Sequence, residues 1–262
     1  MELGLEGKLA LVTASSSGLG FATARALSAE GAVVAVCSRS AERAGEAARR
    51  IAEQTGNEVF SFEVDVSDGH SVERLFGQVA RELGGLDILV NNAGGPPPGG
   101  FENVSEEQWD LAYGLTLQSV VRSVRHAIPL MRERGGGSIL TIGSSSLRSP
   151  IPNLLLSNVF RPAVLGLSQT LAGELAPYGI RVNMISPGRI HTERIEQLDR
   201  ANAERQGISV EEIRERTKAS IPLGRLGDPA EFGRVAAFLS SDAASYISGE
   251  SILVDGGMVR TI

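Results

Sequence analysis

A chain of 262 residues, 42% hydrophobic and 21% charged, is long enough for one large α/β domain, and a domain of that size buries about three quarters of its unfolded surface without an external staple. Its net charge of −6 argues against a broad nucleic-acid-binding face, and its single cysteine, Cys37, excludes an internal disulfide framework and a cysteine-based metal cluster. No run approaches the ~18 apolar residues of a membrane span, and no basic, then apolar, leader opens the chain, so a cytoplasmic protein with no membrane partner, no nucleic-acid partner and no metal is expected.

Short β-branched apolar runs alternate with longer helical patterns. In chain order, a strand over 9–13 leads into a helix over 18–30, a strand over 33–36 into a helix over 41–53, and a strand over 59–64 into a helix over 71–83. A strand over 88–90 precedes a long helix over 106–134, and a strand over 138–142 precedes a helical stretch ending near residue 176. A strand over 181–185, a helix over 229–240 and a strand over 251–254 complete the series. This is the pattern of a Rossmann-like, doubly wound, seven-stranded and mostly parallel sheet with helices on both faces, a single dinucleotide-binding domain over 1–262.

Ser105 ahead of Glu106 and Glu107, and Asp228 ahead of Pro229, mark helix starts. Two stretches break the rhythm, the glycine- and proline-rich loop 95–100 and the charged stretch 193–218. Each follows a strand end that faces ligand in an open sheet. Each therefore reads either as part of the substrate mouth, with 193–218 an inserted substrate loop, or as a solvated surface excursion.

Between the first strand and helix, Ser15, Ser16, Ser17, Gly18, Leu19 and Gly20 form a turn. Its glycines let helix-start amides approach a pyrophosphate and its serines add donors, although two glycines also suit a plain tight turn. The second strand ends on Ser38 and Arg39. A carboxylate there would select an unphosphorylated ribose, whereas an arginine pairs with a 2′-phosphate, so NADP(H) is expected over NAD(H). The ordinary alternative is a surface arginine.

These features join Asp65 after the third strand, Asn91-Asn92-Ala93-Gly94 after the fourth, Ser144 after the fifth, Ser186-Pro187-Gly188 after the sixth and Val254-Asp255-Gly256-Gly257 near the end. Together they resemble the short-chain dehydrogenase/reductase family along essentially the whole chain. The resemblance implies that Asp65 and Val66 contact the adenine, that Asn91, Ala93 and Gly94 buttress the sheet beside the adenosine ribose, and that Pro187, Gly188, Ile190 and Thr192 line the nicotinamide. It also implies a small-molecule carbonyl or alcohol substrate, and a homo-oligomer (dimer or tetramer) built on the helix over 106–134 and the segment after Pro162. Ala14 stands at the family's first glycine, tolerable at negative φ and costly at positive φ. Ser17 stands where NADP-dependent members often carry a basic residue, which leaves the 2′-phosphate to Arg39.

The family's chemistry runs through an Asn, Ser, Tyr, Lys tetrad in which the tyrosine, its pKa lowered by the lysine, relays the proton. Carried over by spacing, the four positions are Thr116, Ser144, Ser157 and Arg161. An aliphatic hydroxyl at 157 is far less acidic than a phenol, and an arginine keeps the lysine's charge in another shape. Pro162 either starts or kinks a helix near 162, displacing 157–161, or sits in a first helical turn. Tyr113, three residues before Thr116 and so able to share its side of the helix, Tyr178 and His191 are alternative donors, each with an ordinary structural or exposed reading. Two functions are compatible with this pattern: an NADP(H)-dependent oxidoreductase with an atypical proton donor, or a catalytically impaired cofactor-binding or regulatory protein.

Overall fold

The computed structural model describes residues 2–260, so residues 1, 261 and 262 of the expected domain lie outside the described residues. The β-branched runs form β1 (Leu9–Val12), β2 (Val33–Ser38), β3 (Val59–Glu63), β4 (Ile88–Asn91), β5 (Gly137–Ile142), β6 (Ile180–Pro187) and β7 (Ser251–Val254). All pair in parallel, in the order β3-β2-β1-β4-β5-β6-β7. The helices are α1 (Gly18–Ala29), α2 (Ala41–Thr55), α3 (Gly69–Glu82), α4 (Glu106–Tyr113), α5 (Ser119–Glu133), α6 (Leu155–Leu175), α7 (Glu193–Gln206), α8 (Val210–Ser220) and α9 (Pro229–Ser240).

Strand alternation explains why both faces are covered. Leu11, Ala35, Leu89 and Ile139 pack with Val72 of α3, Val124 of α5 and Val164 of α6. Their neighbours Val12, Val34, Val90 and Leu140 pack with Leu27 of α1, Ala47 of α2 and Phe232 of α9 on the opposite face. Cys37 belongs to the first of these cores, where burial pushes its thiol up to about 12.

Ser105 and Asp228 start helices, as the sequence predicts, and each closes a capping box. Other expectations need correction. The helix expected over 106–134 is broken by a wide π turn at Gly114–Gln118. The stretch 193–218, expected as a loop, is helical over most of its length. Thr192 and Ser209 cap α7 and α8, and the pairs Arg200–Glu196 and Arg216–Glu212 lie one turn apart along them. Pro162 neither starts α6 nor occupies its first turn, because the helix begins seven residues earlier at Leu155. Among the described residues no helix is long and apolar enough to cross a membrane.

Candidate functional site

The strand order places β1 beside β4, so the chain leaves in opposite directions from their carboxyl ends and opens a crevice there. The turn after β1 is the floor of that crevice. Gly18 takes φ 59°, and a Cβ on Gly20 would fall 2.6 Å from Asn92 Nδ2 and 2.7 Å from the Ala14 carbonyl, so the backbone approaches too closely for any side chain. Asn92, which sequence reasoning did not single out alone, holds this turn: its Nδ2 donates to the Ala14 carbonyl at 2.9 Å and its amide donates to Thr13 Oγ1 at 2.7 Å.

Ser15 does not offer its hydroxyl to a ligand. It is fully buried, donates to the Val12 carbonyl at 2.6 Å and accepts from the Cys37 amide at 3.0 Å, which ties β1 to β2. Ser16 is partly exposed and Ser17 exposed. Ser17 is the N-cap of α1 yet caps nothing with its side chain, whereas six other helices, α2, α3, α4, α7, α8 and α9, each carry a capping side chain. The first amides of α1 therefore face the crevice without a side-chain acceptor. Leu19 is partly buried behind them.

At the end of β2, Ser38 is buried and Arg39 exposed. Arg39 joins no ion pair within 4.0 Å among the described residues, and its charge helps to hold Asp65 below the usual carboxylate range. The larger cause there is Ser67, whose hydroxyl and amide donate to Asp65 Oδ1 at 2.6 and 2.9 Å. Val66 is buried beside it, while Ala93 is partly exposed and Gly94 exposed along the crevice. Asn91 is buried under them, its Nδ2 donating to Thr141 Oγ1 at 3.4 Å.

The far wall comes from β6 and the segment after it. Pro187 ends β6, and a Cβ on Gly188 would sit 2.5 Å from that of Asp255, which explains the glycine by close packing of the two carboxyl-end turns. Ile190 is buried, its neighbour His191 donating a backbone bond to the Gly227 carbonyl at 2.9 Å. Thr192 starts α7 and faces Gly18, with its Cγ2 3.9 Å from where a Cβ on that glycine would lie. Arg194 then reaches across, donating through Nη2 to the Pro96 carbonyl at 2.8 Å, so α7 is pinned to the loop 95–100. A second tie, Arg189 to Asp199, anchors α7 from behind, with the aspartate side chain 2% exposed.

The four chemical positions converge. Ser144 is partly exposed at the end of β5, its Oγ accepting from the Ser146 amide at 3.1 Å. Ser146, which sequence reasoning missed, shares a hydrogen bond of 3.1 Å with Ser157, both hydroxyls being buried. Arg161 lies one helical turn after Ser157 on α6, on the same face, and its Nη1 donates to the Ile142 carbonyl at 2.7 Å. Burial, with a further contribution from the positive Arg194, lowers the Arg161 guanidinium to about 10. Thr116 sits in the π turn with its hydroxyl turned inward, and with Asn91 and Arg161 it lines a polar cavity of about 10 Å³; that is the room of about one water. Of the residues that line it, Thr116, Asn91 and Arg161 each bury a polar atom, Oγ1, Oδ1 and Nε, that has no protein partner.

None of the three alternative donors has a hydrogen bond to the four chemical positions. Tyr113 does not share Thr116's side: its ring rests on Phe160 and its hydroxyl accepts from the Gln118 side-chain amide. Tyr178 is covered by the Arg132 guanidinium at 3.2 Å. His191 is 64% exposed and lines a cleft with Gly18, Thr192, Arg25 and Pro229, at the cofactor turn and away from Ser144 and Ser157.

Residues 13–259 match a family model described as Enoyl-(Acyl carrier protein) reductase. The chain is 38% identical over 256 residues to "Dehydrogenase/reductase SDR family member 4" of Homo sapiens, covering 97% of this chain and 88% of that protein. It is 37% identical over 256 residues to "Uncharacterized oxidoreductase YxbG" of Bacillus subtilis, covering 97% and 92%. Among solved structures, L-sorbose reductase from Gluconobacter frateurii, complexed with NADPH and L-sorbose, superposes with a TM-score of 0.95 at 34% identity over the whole of both chains.

Proposed function

Because this chain belongs to the short-chain dehydrogenase/reductase family of oxidoreductases, we propose that it transfers hydride between NADP(H) and a carbonyl or alcohol substrate, with an atypical route for the proton. The observation that carries the cofactor assignment is the uncapped start of α1, where free amides stand over a glycine turn that tolerates no side chain. Asp65 and Val66 would flank the adenine, Ser16, Ser17 and Gly18 the diphosphate, and Ile190 and Thr192 the nicotinamide. Arg39, in no ion pair within 4.0 Å among the described residues, supports the phosphorylated cofactor, as does the NADPH bound in the L-sorbose reductase.

When bound, the nicotinamide supplies the hydride. Ser144 orients the substrate oxygen, and the Arg161 cation stabilises the negative charge that develops there. One proton reaches that oxygen from solvent through the Ser146–Ser157 hydroxyl pair, so that a carbonyl gains one hydride on carbon and one proton on oxygen. In this reading Thr116, Ser144, Ser157 and Arg161 occupy the family's Asn, Ser, Tyr and Lys positions, and the helical pair α7–α8 closes the substrate side. The homo-oligomer is part of the same proposal, with Leu111, Tyr113 and Val159 exposed on α4 and α6.

Fluorescence titration with NADPH, followed by a carbonyl screen, tests the reading. NADPH binding, slow NADPH-dependent reduction and a rate loss of at least tenfold in Ser157→Ala are expected. A parent that binds NADPH and reduces nothing, while Ser157→Tyr with Arg161→Lys does reduce, would instead establish a catalytically impaired cofactor-binding protein.

A further inference from the structure

Asp65 is held by a web of hydrogen bonds that leaves one of its oxygens free. β3 is an edge strand, so the turn that follows it has a strand neighbour on one side only. Within that turn the Asp65 amide donates to Ser71 Oγ at 3.1 Å, and the Asp68 amide donates to the Asp65 carbonyl at 3.1 Å. The Ser67 hydroxyl and amide both donate to Asp65 Oδ1, at 2.6 and 2.9 Å. The second carboxylate oxygen, Oδ2, accepts no hydrogen bond among the described residues, and Asp65 is partly exposed.

This turn is gripped from a distant element. Arg122, on α5 and 55 residues from Ser67 in sequence, donates through Nη1 to the Ser67 carbonyl. Its guanidinium also packs on Gly69, with Nε and Cζ 3.5 and 3.7 Å from where a Cβ on that glycine would lie. A hydrogen bond from a cation is about twice as strong as a neutral one, so the carbonyl is firmly held. Each residue has only two soft backbone dihedrals, and fixing the Ser67 carbonyl therefore limits how far the amide and hydroxyl of the same residue can swing. Those two donors hold Oδ1, and the direction of Oδ2 follows from them.

We propose that Arg122 is a positioning residue of the cofactor site: acting through Ser67, it aims Asp65 Oδ2 at the exocyclic amino group of the adenine, and so makes the protein select adenine over a base with an oxo group there. This rests on the dinucleotide reading above and names the part of the cofactor that the turn reads. A carboxylate accepts from an amino N–H, whereas an oxo oxygen in the same place turns its lone pairs toward it. A site built to hydrogen-bond a ligand N–H discriminates against the analogue that lacks it, provided that the protein group is held still. Arg122 itself reaches Ser67 and Gly69, and its effect on the base passes through Ser67.

The test compares NADPH with its hypoxanthine analogue, reduced deamino-NADP, which differs only at the base. Each is titrated by nicotinamide fluorescence into the parent, Arg122→Met, Arg122→Gln and Arg122→Lys proteins, with circular dichroism to establish that each variant is folded. The parent is expected to bind NADPH about tenfold or more tighter than the analogue. Arg122→Met should cut that ratio to about threefold or less by weakening NADPH, and Arg122→Lys, which can still donate to the Ser67 carbonyl, should restore most of it. Arg122→Gln, too short to reach Ser67, should repeat the loss, and it replaces the methionine variant should that one fail to fold. A purely structural or long-range electrostatic role would weaken both dinucleotides alike, so an unchanged ratio in folded Arg122→Met or Arg122→Gln overturns the proposal. So does a parent that binds NADPH and the analogue equally. A parent that binds neither removes the dinucleotide reading and the proposal with it, an outcome distinct from the other two.

Discussion

Ala14 holds φ 45°, a conformation in which an L-residue brings Cβ too close to the following carbonyl. That strain is of order 1–2 kcal/mol, and glycine escapes it at the expense of about 0.4–1 kcal/mol of unfolded-chain entropy. Ala14→Gly is therefore expected to stabilise the protein by about 0.5–1 kcal/mol, read as a higher urea midpoint at unchanged slope. A lower midpoint would mean that the methyl group is needed in the turn. The sequence left both signs of φ open at this position, and only the backbone could choose between them. Ser144, Ser157, Arg161 and Thr116 were candidates only through the family resemblance, carried over by spacing. Ser146 was not, since its role comes from a short turn that folds its hydroxyl back onto Ser157. Arg194 was hidden for a different reason: its neighbour across the crevice, Pro96, is 98 residues away in sequence.

At the scale of elements, α6 carries a proline in its interior. Pro162 has no amide to give the Asn158 carbonyl, and its ring is exposed, so it adds little packing in return. The helix persists because its start is held from outside: the Leu155 amide donates to the Gly99 carbonyl at 3.2 Å, and the Asn158 side chain brackets the Ile151 amide and carbonyl, both at 3.0 Å. An interior proline costs a helix about 3 kcal/mol against alanine, part of which this anchoring offsets, so Pro162→Ala is expected to stabilise by about 1–3 kcal/mol. At about 2–4 °C per kcal/mol for a domain of this size class, calorimetry would register a clear rise in melting temperature. A fall would show that the proline itself helps to hold the 157–161 turn against β5. The strands were legible because β-branched runs buried on both faces leave an unbroken apolar signal. The helices of 193–218 were not, because they are charged and amphipathic only weakly. Their signal lay in the caps instead: Ser209 accepts from the Glu212 amide at 3.1 Å, a serine and glutamate three apart that mark a helix start without any apolar period.

At the scale of the molecule, the crevice joins two halves of one sheet. The β1–β3 side contributes the α1 amides, Arg39 and Asp65, whereas the β4–β7 side contributes Ser144, Arg161 and Thr192. A dinucleotide lying across β1 and β4 would touch both halves, and whatever binds only the folded chain stabilises it. At a hundredfold excess over its dissociation constant, NADPH should add about 2.7 kcal/mol. With about 2–4 °C per kcal/mol, that predicts a rise in melting temperature of about 5–10 °C. The protein's net charge of −6 opposes entry of a polyanion, so the proposed preference for the 2′-phosphate rests on local charge at Arg39. NADH at equal concentration should therefore give a smaller rise, and Arg39→Ala should bring the NADPH rise down to that of NADH while leaving the NADH rise in place. Added salt should narrow the same gap in the parent, because Arg39 is exposed and its field is screened within about 10 Å at 0.1 M. Equal rises for the two cofactors in the parent would take Arg39 out of the phosphate site. An NADPH rise that survives Arg39→Ala would move the selectivity to another part of the crevice.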